Sequence, residues 1–424
     1  VVASASRLKL AGARNRPETA DLHPSSDKKS VFIFEAEAKA VLPAARAFAK
    51  RGFHVVAGSS KRFCVGFSSR WVHEKIRIPH QGREMDACRR FVLDLLKKRP
   101  FEMILPLGDE ATQVVAGIRE EVLQHTKLVL VPYDTFMIFR NKITTMQAAE
   151  RAGVPIPKTY TPPQQSFDEI DREVVYPVLV KPAFSNGARG ITYAYNKDEM
   201  VRYFGEVTAA YGPTFVQEFI PQTGLQYKTE LLTDPAGEVL GAFSYAKIRY
   251  YPPNGGSSTL NQTVDYPELA EHAIRLARSV GWYGMSDFDW IFDERDGTPK
   301  LMEINPRVTD TIRIAQLAGI DFFGMLYDMA CGRPVTPVRD YRKGLYMRFL
   351  PGELMWFVKT KGPRFGLKPS FFKFFGRNVK YLLLSAEDPG AFLGYLLENF
   401  SDMLNARERA FKLRTPTVSA VQTP

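Results

Sequence analysis

The stretch from Ser286 to Arg307 constrains this chain more than any other. Residues 286–292 (SDFDWIF) read as a strand, 293–299 (DERDGTP) as a polar turn with Asp296-Gly297, and 300–304 (KLMEI) as a returning strand. A hairpin of this kind brings Asp289 opposite Glu303. Glu303 and Asn305 are separated by one residue, so they face the same side of an extended strand, and Arg307 continues that face. Hard divalent cations such as magnesium take oxygen ligands, usually one or two carboxylates plus phosphate oxygens. Asp289, Glu303 and Asn305 supply such ligands, and the planar guanidinium of Arg307 suits a terminal phosphate. An ordinary surface hairpin carries the same charges, so the reading depends on what else the chain holds.

With 424 residues, 45% of them hydrophobic, the chain is long enough for two or three domains with sizeable cores. No apolar run of about eighteen residues occurs, so no membrane span is expected, and the first residues lack a signal-peptide core. The cysteines Cys64, Cys88 and Cys331 are far apart and the six histidines form no HExxH group, which argues against disulfides and zinc. These features suggest a reducing, cytoplasmic setting.

Residues 1–29 read as a disordered tail without apolar periodicity. Order is expected from Val31-Phe32-Ile33-Phe34, followed by an Ala-rich helix to Lys50, a stop at Gly52 and a strand at Phe53–Ala57. A helix near 84–98, a strand at Met103–Pro106, a helix near 110–124 and a strand at Leu128–Val131 extend the alternation. The implied fold is a parallel, doubly wound α/β domain over about 30–137. No GxGxxG follows the first strand, which excludes an ordinary dinucleotide fingerprint. Ligands in such sheets lie beyond the carboxyl ends of the strands, so Glu35, Asp109 and Glu110 are candidates to face a substrate. They serve equally well as helix-capping acids.

From about Asn141 the texture becomes α+β. Val178–Lys181 reads as an apolar strand ending in a lysine, followed by a loop with Ser185, Gly187 and Gly190 whose backbone N–H groups can cradle phosphate. Phe215–Pro221 reads as a buried strand whose backbone can bond an adenine edge while Phe219 and Ile220 line the ring. Lys247 and Arg249, one strand step apart, are expected to point the same way, with the loop 253–259 closing over a transferring phosphate.

In this order the elements resemble the ATP-grasp superfamily over roughly residues 31–335. The Asp289, Glu303, Asn305, Arg307 pattern is similar to that of its carbamoyl-phosphate synthetase and biotin carboxylase branch. The resemblance implies a Rossmann-like N-terminal domain, then an ATP-grasp domain over 138–335, its small lobe about 138–215 and its large lobe about 216–335. It implies that Lys142 and Lys181 contact ATP, that Gln217, Glu218, Phe219 and Ile220 form the adenine hinge, and that Asp289, Glu303 and Asn305 hold magnesium, with manganese as a substitute. Arg307, Lys247 and Arg249 would then serve catalysis. Where many relatives carry a ribose-binding glutamate stands Gln226, with Glu230 beyond it. The implied activity is a carboxylate–amine ligase that forms an acylphosphate from a small carboxylate, with an amino acid as one candidate. The alternatives are a carboxylase or carbamoyl-phosphate type of enzyme, and a nucleotide-binding regulatory or scaffold protein without turnover.

The net charge of +11 is concentrated late: Arg339–Lys380 holds eleven Lys or Arg and ten aromatics against two acids. Residues 336–412 therefore read as a basic, aromatic C-terminal region, and 413–424 as a second disordered tail. Its simplest role is packing on the preceding core. Contact of 339–380 with an anionic membrane surface, a lipid-linked substrate or an acidic carrier fits the same composition, and single-stranded nucleic acid fits it less well. Oligomeric state has no signature in the sequence.

Overall fold

The computed structural model describes residues 28–185, 189–252 and 256–405, so almost all of the expected N-terminal tail, and all of the C-terminal one, lie outside it. Its first sheet is parallel, with order β3-β2-β1-β4, from β1 (Ser30–Phe34), β2 (His54–Ser59), β3 (Glu74–Arg77) and β4 (Met103–Pro106). Phe32, Ile33 and Phe34 are all fully buried, as a strand covered on both faces requires.

Two expectations are corrected here. Leu128–Val131 forms no strand: the chain touches β4 only through a bridge at Lys127, then runs into Pro132, which has no N–H to give. The Leu130 carbonyl accepts from Arg119 Nε (2.7 Å) and Tyr283 Oη (3.0 Å) in place of a neighbouring strand. The helix expected over 110–124 is broken at Gly117-Ile118 into Asp109–Ala116 and Arg119–Leu123.

The second sheet, β5-β8-β6-β7, is antiparallel and comprises β5 (Thr159–Tyr160), β6 (Val178–Pro182), β7 (Thr192–Ala194) and β8 (Thr214–Glu218). It has its own core around Tyr160, Ile170, Val180, Met200 and Val216. The third sheet has seven strands in the order β13-β12-β9-β10-β11-β14-β15. They are β9 (Gln226–Thr233), β10 (Val239–Tyr251), β11 (Ser257–Thr263), β12 (Gly284–Asp293), β13 (Thr298–Asn305), β14 (Tyr346–Arg348) and β15 (Val379–Tyr381). Two larger cores fuse this sheet to the first one: Val31 and Ile33 share a cluster with Phe243 and Phe322, while Phe32 and Phe34 share another with Phe288 and Trp290.

The basic, aromatic segment completes the third sheet. Glu353, fully buried on the helix Leu350–Lys359, accepts from Arg249 (3.0 Å) and from Arg348 (2.7 Å), and Arg348 lies over the rings of Phe371 and Phe374. A buried carboxylate shared by two guanidiniums replaces hydration with charge-assisted bonds. Phe365, Phe372 and Phe375 stay exposed. Farther on, the helix Pro389–Leu404 returns to the first sheet, where Lys61 pairs with Glu398 (2.7 Å) and Asp402 (2.9 Å). Among the described residues no helix is long and apolar enough to cross a membrane.

Candidate active site

The hairpin register is the one expected. Asp289 lies directly opposite Glu303, and Asp287 opposite Asn305. On the other side of β12, β9 places Lys228 opposite Asp289 and Glu230 opposite Asp287. Directly opposed residues share a face, so two rungs, Lys228–Asp289–Glu303 and Glu230–Asp287–Asn305, cross three strands on one side of the sheet.

The rungs are bound by charge. Lys228 Nζ pairs with both Asp287 and Asp289 (2.9 Å to the latter), and Lys247 approaches Asp289 at 3.7 Å. Asn305 Nδ2 donates to Asp287 (3.2 Å) and Asp289 (3.1 Å). Burial opposes charge on Asp289, yet Lys228 and Lys247 hold its carboxyl below the usual carboxylate range. Asp287 differs: burial pushes it up to about 6 despite Lys228, and its Oδ1 is buried without a hydrogen-bond partner. Lys228 and Asp287 were missed from the sequence. The alternations Lys228-x-Glu230 and Asp287-x-Asp289, charge at every second position of a strand, were the signal that could have found them.

Lys142 opens the helix Lys142–Arg151, whose Asn141 cap accepts from the Ile143 N–H at 2.9 Å. Its Nζ donates to the Ser185 carbonyl (2.7 Å) and pairs with Glu303 (3.3 Å), tying the second sheet's loop to the hairpin. Lys181 on β6 donates to Gln217 Oε1 on β8 (2.9 Å), and Gln217 Nε2 donates in turn to Thr159 (2.9 Å). Burial lowers the Lys181 ammonium to about 8. A buried cation bonded, among the described residues, only to a neutral amide is poised for an anion. Gly190, at φ +74°, packs against Pro182 and Tyr211, whereas Gly187 lies outside the described residues, as do residues 253–255 of the expected closing loop.

At the end of β8, Ile220 is buried and Phe219 stacks edge-on against Tyr193. The Glu218 carboxylate accepts from the Lys158 N–H (3.1 Å) and Arg295 (2.6 Å), so its side chain braces the hinge. Gln226 donates to Gln222 at 3.3 Å near this end.

The placement of Glu230 with the ribose contacts is corrected. It is fully buried four residues farther along β9, accepts from Thr309 (3.2 Å) and faces Asp287, and burial raises its carboxyl well above the usual range. The shared orientation of Lys247 and Arg249 is corrected as well. Lys247 opposes Asn261 and Arg249 opposes Leu260, so an extra residue of β10 is bulged between them and the two cations point to opposite faces. Arg249 is thereby committed to Glu353, away from the rungs.

Arg307 bridges two sheets. Its Nη2 donates to Asp109 (2.9 Å), at the start of the helix Asp109–Ala116, and to Asn305 (3.3 Å), while its buried Nε has no acceptor. Burial opposes its charge, but Asp109 holds the proton firmly. Of the residues after it, Asp310 accepts from Lys39 (2.8 Å) and Arg313 donates to the Leu382 carbonyl (2.7 Å).

Among the described residues no three His, Cys, Asp or Glu side chains converge as a metal cage. Magnesium needs none, because one or two carboxylates and nucleotide phosphates commonly suffice. The oxygen donors of Asp287, Asp289, Glu303 and Asn305, including the orphaned Asp287 Oδ1, fit such an ion, with the Lys228 and Lys142 ammoniums now balancing their charge. A cavity of about 380 Å³ lies elsewhere, lined by residues including Glu238, Asp265, Arg278 and Lys343.

A small antiparallel sheet and a large one bring lysines and a carboxylate hairpin together, the arrangement expected of an ATP-grasp fold. Residues 141–337 match the family described as carbamoyl-phosphate synthase L chain, ATP binding domain. The chain is 23% identical, over 68% of its own length and 28% of the other's, to the carbamoyl phosphate synthase large chain of Methanobrevibacter smithii. It spans well under half the length of the curated relatives it matches first. The fold is similar to the biotin carboxylase–β,γ-ATP complex of Campylobacter jejuni (TM-score 0.63, 15% identity, 75% of this chain and 74% of that one). It is also similar to the biotin carboxylase domain of Hydrogenobacter thermophilus 2-oxoglutarate carboxylase with MgADP and bicarbonate (TM-score 0.61, 20% identity, 76% and 74%). At such identities the likeness establishes the fold.

Proposed function

We propose that this chain is an ATP- and magnesium-dependent ligase that activates a small carboxylate as an acylphosphate for attack by an amine. The observation that carries the reading is the convergence of Lys181, Lys142, the Asp289–Glu303 rung and Arg307 from separate elements onto one site. Bound magnesium–ATP supplies the phosphoryl group and neutralises part of its charge. Asp289, Glu303 and Asn305, joined by Asp287, hold the ion. Lys181, oriented by Gln217, and Lys142 bind phosphate oxygens, Ile220 and Phe219 wall the adenine, and Gln226 is placed for the ribose. Arg307, fixed by Asp109, stabilises charge on the transferring group and orients the carboxylate, and no protein nucleophile is needed. In this reading 30–137 is the substrate-facing Rossmann-like domain and 138–335 the nucleotide clamp.

Incubation with ATP, magnesium and pooled amino acids, with ADP formation as readout, tests this reading. Substrate-dependent ADP release that vanishes in Arg307→Ala is expected. Tight nucleotide binding without turnover under any pool would favour the regulatory or scaffold alternative instead.

A further inference from the structure

At the carboxyl ends of the parallel strands, a crevice on the first-sheet side of Arg307 holds acceptors that nothing satisfies. Glu35 and Glu37 follow β1, Ser60 follows β2, Gln81 follows β3, and Asp109 follows β4. Gln81 is only 4% exposed; its Nε2 donates to Glu37 Oε1 (3.0 Å), which Ser60 also approaches (3.4 Å). Among the described residues three buried oxygens remain without a hydrogen-bond partner: Glu35 Oε2, Glu37 Oε2 and Gln81 Oε1. Each such orphan costs about 1–3 kcal/mol, more when charged, so three in one crevice ask for a ligand.

The backbone is shaped around the same group. Glu35 sits at φ +89°, a region that a glutamate occupies at a cost. Its carboxylate lies so close to Gly108 that a Cβ there would fall 2.5 Å from Oε2. Of the nearby cations, Lys39 pairs with Asp310, Lys61 with Glu398 and Asp402, and Arg307 with Asp109, while Arg77 feels the charge of Glu37 but, among the described residues, makes no hydrogen bond to it.

An acceptor-rich crevice favours a donor-rich ligand, and although burial pushes the Glu35 carboxyl well above the usual carboxylate range, a cation bound against it would offset that burial. An alkylammonium has three donors and no acceptor, whereas a carboxylate or phosphate would be repelled. A metal ion is disfavoured, because among the described residues no three acidic, His or Cys side chains converge on one point. The crevice is also where ligands bind in open parallel sheets, and Asp109 links it to Arg307. We propose that Glu35, Glu37 and Gln81 form the subsite for the protonated amine of a small organic substrate. This rests on the ligase reading above and narrows it: the substrate on the first-sheet side of Arg307 carries a cationic amine.

Calorimetric titration of the full chain with 1,4-diaminobutane, and with butane-1,4-diol as its uncharged counterpart, tests the subsite alongside a magnesium–ADP titration. The diamine should bind wild type, and bind at least about tenfold more weakly to Glu35→Gln and to Glu37→Gln, the loss of one charge-assisted bond. The diol should not bind, and ADP affinity should be the same in all three proteins, which also reports that the variants fold. Equal diamine affinity in wild type and variants, equal binding of the diol, or no diamine binding where ADP binds would overturn the subsite. Failure of wild type to bind ADP would instead overturn the ligase reading.

Discussion

The two sides of Arg307 treat charge in opposite ways. On the hairpin side, Asp287, Asp289 and Glu303 each touch a lysine ammonium, and Lys181 is left with a neutral amide. On the first-sheet side, Glu35, Glu37 and Gln81 present oxygens that accept nothing. A region rich in fixed ammoniums favours an anion such as a polyphosphate, and a region of orphaned acceptors favours a cation. Arg307, anchored on both by Asn305 and Asp109, sits where the two ligands would meet.

The largest effect should come from removing that junction. Arg307→Ala is expected to lower ligase turnover by roughly a thousandfold or more, the scale of an arginine that stabilises phosphoryl transfer, and to lower the thermal unfolding midpoint because buried Asp109 loses its partner, while the folded variant still binds magnesium–ADP. Turnover near wild type would break the assignment of the junction.

The next effect separates the two bulged cations. Glu353→Ala leaves Arg249 and Arg348 buried without their carboxylate and should destabilise the fold by about 3–5 kcal/mol in denaturant unfolding. Arg249→Lys should lower stability more than it changes kcat, because Arg249 faces Glu353 and the C-terminal segment. A kcat loss without a stability loss would return Arg249 to the catalytic face.

Lys181→Met should weaken nucleotide binding by roughly ten- to a hundredfold, the loss of one charge-assisted phosphate contact, and leave diamine binding unchanged. Equal losses for both ligands would mean that the two sides are not independent.

The smallest effect is a pH dependence. With the Lys181 pKa lowered to about 8, its ammonium is lost between about pH 7 and 9 in the free protein, so ADP affinity should fall several-fold across that window. The stability sign is the reverse: unfolded lysine keeps its proton up to about 10.4, so the unfolded chain binds more protons above pH 8 and stability gains from this group as pH rises toward 10. ADP affinity that is flat from pH 7 to 9 in wild type, or a slope that survives in Lys181→Met, would assign the dependence to another group.

Much of this contrast was legible in the sequence. The strand composition of 286–304 and the Asp296-Gly297 turn marked a hairpin, but Asp289 meets Glu303 only through a bulge between that pair and Trp290–Leu301, which the turn alone does not specify. Lys181 was marked by the apolar strand that it ends, whereas Lys142 was marked only by the family resemblance. What stayed hidden depends on distant pairing. The bulge after Lys247 is defined only against Asn261 and Leu260 of β11, and it reverses Arg249. Glu230 looked like a ribose ligand until its partner in the sheet proved to be Asp287. Leu128–Val131 has strand composition, but Arg119 and Tyr283 take the Leu130 carbonyl that a neighbouring strand would need. The orphaned state of Glu35, Glu37 and Gln81 arises only when the loops after β1 and β3 meet.

The most direct test of the central claim follows an oxygen atom. With ATP, magnesium and a pool of amino acids labelled with oxygen-18 in their carboxylates, activation as an acylphosphate leaves one carboxylate oxygen on the phosphate when the amine displaces it. Mass spectrometry should find inorganic phosphate carrying a single oxygen-18 in proportion to ADP formed. ADP accompanied only by unlabelled phosphate would contradict carboxylate activation.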